Sequence, residues 1–303
     1  MKENIHHYLK LGINHHLLFS ESIRNPKLHL ETLPRLLKRR DFEVIDLFIP
    51  YDEKIRKEER KLILASKKEI VYNAHFLPSS PVWPCSPDPI GRAHALILAF
   101  EQIDVAYSIK AKKILLHSGP DPGKKYHRDA KKWFTEYCLR FAEYLAKKGR
   151  MIAVMEPMDR EKAKKFFIGP TSEAVKIIEN VRHHFKNLYL QLDMAHLLIA
   201  GESFNHALHC GGHLLRHLHL GNCVISNPSS LFYGDMHPPL GIEDGEADVD
   251  ELSEFLRIAF KVGFLNKKKR PSVTIEIQPY PDCSAEETLE ITKEKLALAW
   301  EKV

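Results

Sequence analysis

"LYLQLDMAH", residues 188–196, is a short run of β-type apolar residues that reaches an acid at Asp193 and a histidine three positions later, at His196. It is one of eight such runs. The others are "LGINHHLLF" (11–19), "FEVIDLFI" (42–49), "EIVYNAHF" (69–76), "KKILLHS" (112–118), "MIAVMEP" (151–157), "LRHLHLGN" (215–222) and "SVTIEIQP" (272–279). Between them lie segments with apolar residues at helical spacing, such as "IGRAHALILAFEQIDVAYSIKA" (90–111) and "HRDAKKWFTEYCLRFAEYLAKKG" (127–149). "TSEAVKIIENVRHHF" (171–185) opens with a capping-box pattern, Thr171 or Ser172 preceding acids in the first turn. "DVDELSEFLRIAFKVGF" (248–264) starts with an Asp cap. Strands that alternate with helices imply βα units and a parallel sheet. Eight units at this length predict an α/β fold of the (β/α)8 TIM-barrel type, about 250 residues with loop insertions. A doubly wound open sheet is the competitor. It is weakened because no GxGxxG follows an early strand and no GxxxxGK[ST] occurs. No internal repeat, low-complexity tract or linker interrupts the chain, so residues 1–303 read as a single domain.

The formal net charge of +5 is mildly basic. Charge of that size does not by itself argue for nucleic acid. Runs such as "LLKRRDF" (36–42) and "LNKKKRP" (265–271) read as solvated faces. The five cysteines are odd in number and widely spaced, without a CxxC, which fits a reducing compartment and predicts a cytoplasmic location. "MKENIHHYLKLG" lacks a signal-peptide core, and no apolar run reaches the roughly 18 residues of a membrane span, so no membrane partner is expected. The unusual feature is 18 histidines, several of them at the ends of apolar runs.

In a barrel of this kind the C-terminal ends of the strands carry the active site. Nearly every strand here ends in a metal-capable residue: His75, His117, Glu156, Asp193 with His196, His217 with His219, and Glu276. The loop "GDMHPPLGIEDGEADVD" (234–250) adds Asp235 and His237. Each alone has a structural explanation, as a hydrogen-bonded histidine or a paired acid. Together, three carboxylates and several imidazoles on one rim would repel or go unsatisfied without a cation, which points to a divalent metal. His217 and His219 share strand parity and could face the same side. His219 is nearer the rim and is the expected ligand, with His217 packed behind it.

These residues resemble the xylose-isomerase-like TIM barrels, a superfamily that groups sugar isomerases and epimerases with zinc-type apurinic endonucleases. The resemblance extends over nearly the whole chain. In the epimerases one metal is held by residues that match Glu156 in "VMEPM", Asp193 in "LDMAH", His219 in "HLHLGN" and Glu276 in "TIEIQ". His196 matches a position that contacts substrate oxygen in the epimerases and binds metal in the endonucleases. The endonucleases' three-zinc cluster uses further ligands, matched here by His75, His117, Asp235 and His237. Two departures bear on substrate. Ile225 stands where ketohexose epimerases place an arginine six residues past the strand-seven histidine. Pro78 stands where the endonucleases have a tyrosine that helps to bind DNA.

The resemblance implies a metal-dependent isomerase or epimerase of a small sugar or sugar derivative. Glu156 and Glu276 would act as base and acid at a carbon next to a carbonyl, through an enediolate, and His196 would orient or stabilise the oxygen. Three carboxylates and one imidazole suit Mn²⁺, Mg²⁺ or Co²⁺ as well as Zn²⁺, and the extra histidines favour Zn²⁺ or a second ion. Arg160 and Lys165 follow strand five and could reach a phosphate or carboxylate, or lie on the helix surface. The alternative is a multinuclear-zinc phosphodiesterase like the apurinic endonucleases, which accounts for the extra ligands better and for the modest charge worse. A non-catalytic metal- or sugar-binding barrel would leave the paired glutamates without a purpose. A small-molecule sugar is the expected partner, nucleic acid is not, and a homo-oligomer stays open.

Overall fold

The computed structural model of the chain describes residues 3–74 and 82–303. Eight parallel strands close into a barrel in sequence order. They are β1 (Lys10–Asn14), β2 (Val44–Leu47), β3 (Glu69–Tyr72), β4 (Lys113–Leu116), β5 (Ile152–Met155), β6 (Leu188–Asp193), β7 (Leu215–Gly221) and β8 (Ser272–Glu276). β8 returns to β1 with Lys10 opposite Ser272 and Ile13 opposite Ile275, which closes the ring. The helices are α1 (His15–Leu18), α2 (Pro26–Lys38), α3 (Glu53–Ser66), α4 (Pro89–Ser108), α5 (His127–Lys148), α6 (Thr171–Arg182), α7 (Met194–Ala200), α8 (Phe204–Gly211), α9 (Val249–Lys261) and α10 (Ala285–Glu301). Among the described residues, no helix is long and apolar enough to cross a membrane.

The expected (β/α)8 barrel is the observed one. The strands are buried on both faces because one face packs the helical layer and the other fills the barrel. Several expected strand ends are too long, and two of the reasons bear on the site. The run 11–19 stops at Asn14, whose side chain accepts the Leu17 N–H at 3.2 Å and starts α1. The run 188–196 stops at Asp193, whose carboxylate accepts the Ala195 N–H at 2.6 Å and caps α7. In both, apolar residues continue past the cap, so the β-like pattern runs straight into a helix. The capping box expected at Thr171 or Ser172 does not form: α6 begins after Pro170 without a side-chain cap. Thr171 instead donates its N–H and hydroxyl to the Glu202 carboxylate, at 3.0 and 2.9 Å. The Asp248 cap of α9 is present, with the Glu251 carboxylate accepting the Asp248 N–H at 3.0 Å.

The barrel interior is polar in layers. At the N-terminal ends of the strands, Glu69 pairs with Lys10 at 2.6 Å and with Lys113. Burial alone would raise the Glu69 pKa, but the two ammonium groups outweigh it and bring it from 4.5 to about 2. One layer up, Gly12 leaves room that no other residue could: a Cβ there would lie 2.4 Å from Thr274 Oγ1. Thr274 uses that space to donate to Asp46 at 2.8 Å.

The plug at Glu69 generates a stability prediction. Glu69→Gln leaves the Lys113 ammonium, only 9% exposed, without its counter-charge, and should cost roughly 3 kcal/mol. A carboxyl with a depressed folded-state pKa stabilises above its ordinary 4.5 and loses that contribution as pH falls towards about 2. Urea titrations of wild type and variant should therefore differ most above pH 4.5 and converge below it.

Candidate metal centre

At the C-terminal ends of the strands, three groups of acids and histidines converge among the described residues. The largest comprises Glu156, Asp193, His219 and Glu276, each offering one ligand-type atom, all within 4.8 Å of one another. The second is Asp193, His196 and His237, and the third Asp46, His217 and His219. All of these residues are buried.

Asp193 links the first group to the second, and His219 links the first to the third. Its Nδ1 faces the Glu276 carboxylate and lies 3.5 Å from Asp193 Oδ2 and 3.7 Å from Glu156 Oε1. Its Nε2 lies 2.9 Å from Asp46 Oδ2, the oxygen that also meets His217 Nε2 at 2.9 Å. Burial would raise the Asp46 pKa, yet His217 and His219 hold it well below the carboxylate range, so it stays ionised and can only accept. Both Nε2 atoms therefore carry hydrogen, so it is Nδ1, facing the three rim carboxylates, whose proton a metal ion would displace to gain its lone pair. His217 sits deeper, its Nδ1 2.6 Å from Ser272 Oγ, and burial lowers its pKa. The two rings meet edge to face with centroids 4.8 Å apart.

Asn14 Nδ2 donates to Glu276 Oε1 at 2.7 Å and leaves Oε2 facing His219. The ladder between β6 and β7 slips between Leu190 and Gln191, and Gln191 Nε2 arrives 3.3 Å from the His219 ring. Gly221, at the end of β7, is a position where a Cβ would lie 2.9 Å from His237 Nδ1 and 3.1 Å from Asp193 Oδ1. Only glycine lets the 222–248 loop lay His237 beside Asp193. Asn222 anchors that loop, donating to the Pro239 carbonyl at 2.9 Å and accepting from Ala247 N–H at 2.8 Å. His237 adopts a left-handed φ of 47°, held by Gln278 N–H on its carbonyl at 2.7 Å.

The electrostatics separate the carboxyls. Burial raises Glu156, and raises Glu276 to about 7, while His219 and the other imidazoles pull both back. Asp193 is pushed up by burial too, but His219, His196 and His237 beside it hold it well below the usual range. His219 is raised far above its ordinary value: burial disfavours its charge, but Glu276, Asp193 and Asp46 prevail.

A divalent ion suits the four-residue group. Ligands bound at about 2.0–2.2 Å lie at most about 4.4 Å apart, so the observed spread needs only small side-chain rotations. Among the described residues, Glu156 Oε1 and Asp193 Oδ2 are buried and accept no hydrogen bond, which a cation would correct.

The other expected ligands are distributed differently. Asp235 lies outside the three groups but beside them, its Oδ1 2.9 Å from His237 Nε2 and 3.5 Å from His196 Nδ1. His117 follows β4 half-buried, its ring 5.1 Å from Phe166, and belongs to none of these groups. His75 lies outside the described residues, as does Pro78. The cations named after β5 do not face the centre. Arg160 is engaged by Glu173 and the Phe167 carbonyl, and Lys165 is exposed. Lys164 faces the mouth instead, with Nζ 2.8 Å from Asp235 Oδ2. The sequence reading also passed over Asp46, Thr274, Gln191 and Asn14. Asp46 alone left a signal, a lone acid inside the apolar run "EVIDLFI".

A family model described as xylose isomerase-like TIM barrel matches residues 34–293. The chain belongs to that family. Solved structures with this barrel include a D-tagatose 3-epimerase-like protein, 17% identical, with a TM-score of 0.72 over 97% of this chain and 99% of that one. A D-psicose 3-epimerase from Clostridium cellulolyticum H10 is 17% identical, with a TM-score of 0.66 over 95% and 99%. A 3-keto-D-glucoside 4-epimerase from E. coli is 15% identical, with a TM-score of 0.67 over 97% and 99%. Among curated proteins, none matches the sequence significantly. At these identities the likeness is one of fold.

Within this family barrel, Asp46 is the residue whose loss should isolate the orientation of His219. Asp46→Asn keeps the size but replaces an acceptor for two N–H groups by an amide. Affinity for Mn²⁺ or Zn²⁺ should fall roughly 10–100-fold in calorimetric titration, with the far-ultraviolet dichroism of a folded barrel retained.

Proposed function

We propose that this protein is a divalent-metal-dependent isomerase or epimerase of a small sugar or sugar derivative, moving a proton at a carbon next to a carbonyl. The observation that carries this reading is a pair of buried carboxyls, Glu156 and Glu276, raised in pKa around the same small space as Asp193 and His219. Burial brings Glu276 to about 7 without a cation, and a bound cation would draw it down to the ionised carboxylate that a general base needs. Solved structures with this barrel include a D-tagatose 3-epimerase-like protein, 3-epimerases of D-psicose and L-ribulose and a 3-keto-D-glucoside 4-epimerase, which supports a sugar carbonyl as the reacting group.

Glu156, Asp193, His219 and Glu276 would hold the ion. When bound, a divalent cation such as Mn²⁺, Zn²⁺, Mg²⁺ or Co²⁺ would offset the excess carboxylate charge and polarise the substrate carbonyl. Glu156 follows β5 and Glu276 ends β8, with β6 and β7 between them, so the two would approach the site from different sides and serve as base and acid on the two faces of one carbon. Asn14 fixes which Glu276 oxygen points inward. His196, with Nε2 3.8 Å from Glu156 Oε1, would donate to a substrate oxygen. Ile225 packs with Ala195, Ile199 and Cys223, an apolar surface where an arginine grip would require charge. The substrate is therefore held differently from the ketohexoses.

A multinuclear phosphodiesterase is the second reading, favoured by the additional group Asp193, His196 and His237. Lys164 weighs against it, because an ammonium already neutralises Asp235 beside that group.

The test is solvent deuterium exchange into a panel of ketoses and keto-sugars with metal-loaded enzyme. Wild type should wash label into one carbon next to the carbonyl. Glu156→Gln and Glu276→Gln should each slow exchange by roughly 10²–10⁴-fold while remaining folded. No exchange with any sugar, together with nicking of abasic DNA by the loaded protein, would replace this reading by the second.

A further inference from the structure

The group formed by Asp193, His196 and His237, with Asp235 beside it, has the donor types of a second metal site. Asp235 is 3% exposed at its side chain, and a carboxylate that deep requires a positive neighbour. The structure supplies one from the chain itself. Lys164 Nζ stands 2.8 Å from Asp235 Oδ2, and the opposite oxygen of the same carboxylate meets His237 Nε2 at 2.9 Å.

The Lys164 side chain is 42% exposed, but its position is set by the backbone beneath it. Its backbone is fixed by buried Asp159, whose carboxylate accepts the N–H groups of Lys162, Ala163 and Lys164, each at 2.7 Å. Ala163, next in line, packs against Ala195, Ile199 and Cys223 at the base of the mouth. Gly234 approaches that same alanine from the loop that carries Asp235, so the two loops meet where Lys164 and Asp235 pair.

We propose that Lys164 is a built-in cation that takes the place of a second metal ion, so that the mouth of this barrel holds one ion only. A divalent ion on His196 and His237 would have to share Asp235 with the ammonium, and two cations on one buried carboxylate repel. With one ion at Glu156, Asp193, His219 and Glu276, Lys164 supplies the remaining positive charge at the rim. The inference rests on the one-metal reading above and assigns Lys164 a positioning role: it sets the metal count.

The experiment measures metal stoichiometry on the full chain, loaded with Zn²⁺, desalted and analysed by elemental mass spectrometry alongside calorimetric titration. Wild type and Lys164→Arg should retain one ion per chain. Lys164→Met should retain two, and adding Asp235→Asn to it should return the count to one. Lys164→Gln serves the same purpose should methionine prevent folding, which circular dichroism decides. Two or more ions in wild type, or one ion in folded Lys164→Met and Lys164→Gln, would overturn the role of Lys164. A wild type that binds no ion, or whose single ion survives Asp193→Asn and Glu276→Gln, would overturn the four-residue centre instead.

Discussion

Five carboxylates, Asp46, Glu156, Asp193, Asp235 and Glu276, lie buried within one end of one barrel, and none of them can stay ionised there without a positive partner or donor. Much of the local architecture answers that constraint. Asp46 is shared by two histidines and a threonine, and Gly12 exists to admit the threonine. Glu276 is steadied by Asn14, and Asp193 by a helix N-terminus. Asp235 is reached by Lys164 and His237 from two loops. What is left over, chiefly Glu156 Oε1 and Asp193 Oδ2, is the negative surplus that suits a metal.

The two ends of the barrel make the comparison internal. At the N-terminal end a single carboxylate, Glu69, faces two lysines and is held fully ionised. That end is a closed structural plug. At the C-terminal end acids outnumber fixed cations, and two of the carboxyls are raised instead of lowered. Opposite pKa shifts of one residue type within one barrel mark where charge is stored for stability and where it is left available for chemistry.

The loops after β5 and β7 add what the strands cannot. Strand residues sit at spacings fixed by the barrel register, whereas Lys164, Asp235 and His237 arrive from segments whose course is set by side chains that bind backbone, Asp159 and Asn222. A common barrel can thus carry different substrates by changing these loops alone. Ile225 and Lys164 are where this chain takes its own course.

Much was readable in the sequence. Alternating apolar runs and helical spacing determined the barrel, because a buried parallel strand and an amphipathic helix each impose a period on the chain. The same runs placed Glu156, Asp193, His219 and Glu276 at strand ends, since polar residues that close an apolar run stand out. The strand limits at Asn14 and Asp193 were not readable, because apolar residues continue through the cap into the helix. Asp46 stood in plain view but its partners lie more than 170 positions away. Lys164 left no mark at all among neighbouring lysines in "KAKK". Which of them turns inward depends on a backbone turn held by Asp159, and on a loop from the other side of the mouth bringing Asp235 to meet it. Local pattern determines what a segment is; only the closed barrel decides which charges must neutralise one another, because that depends on distance in space and on exclusion of water.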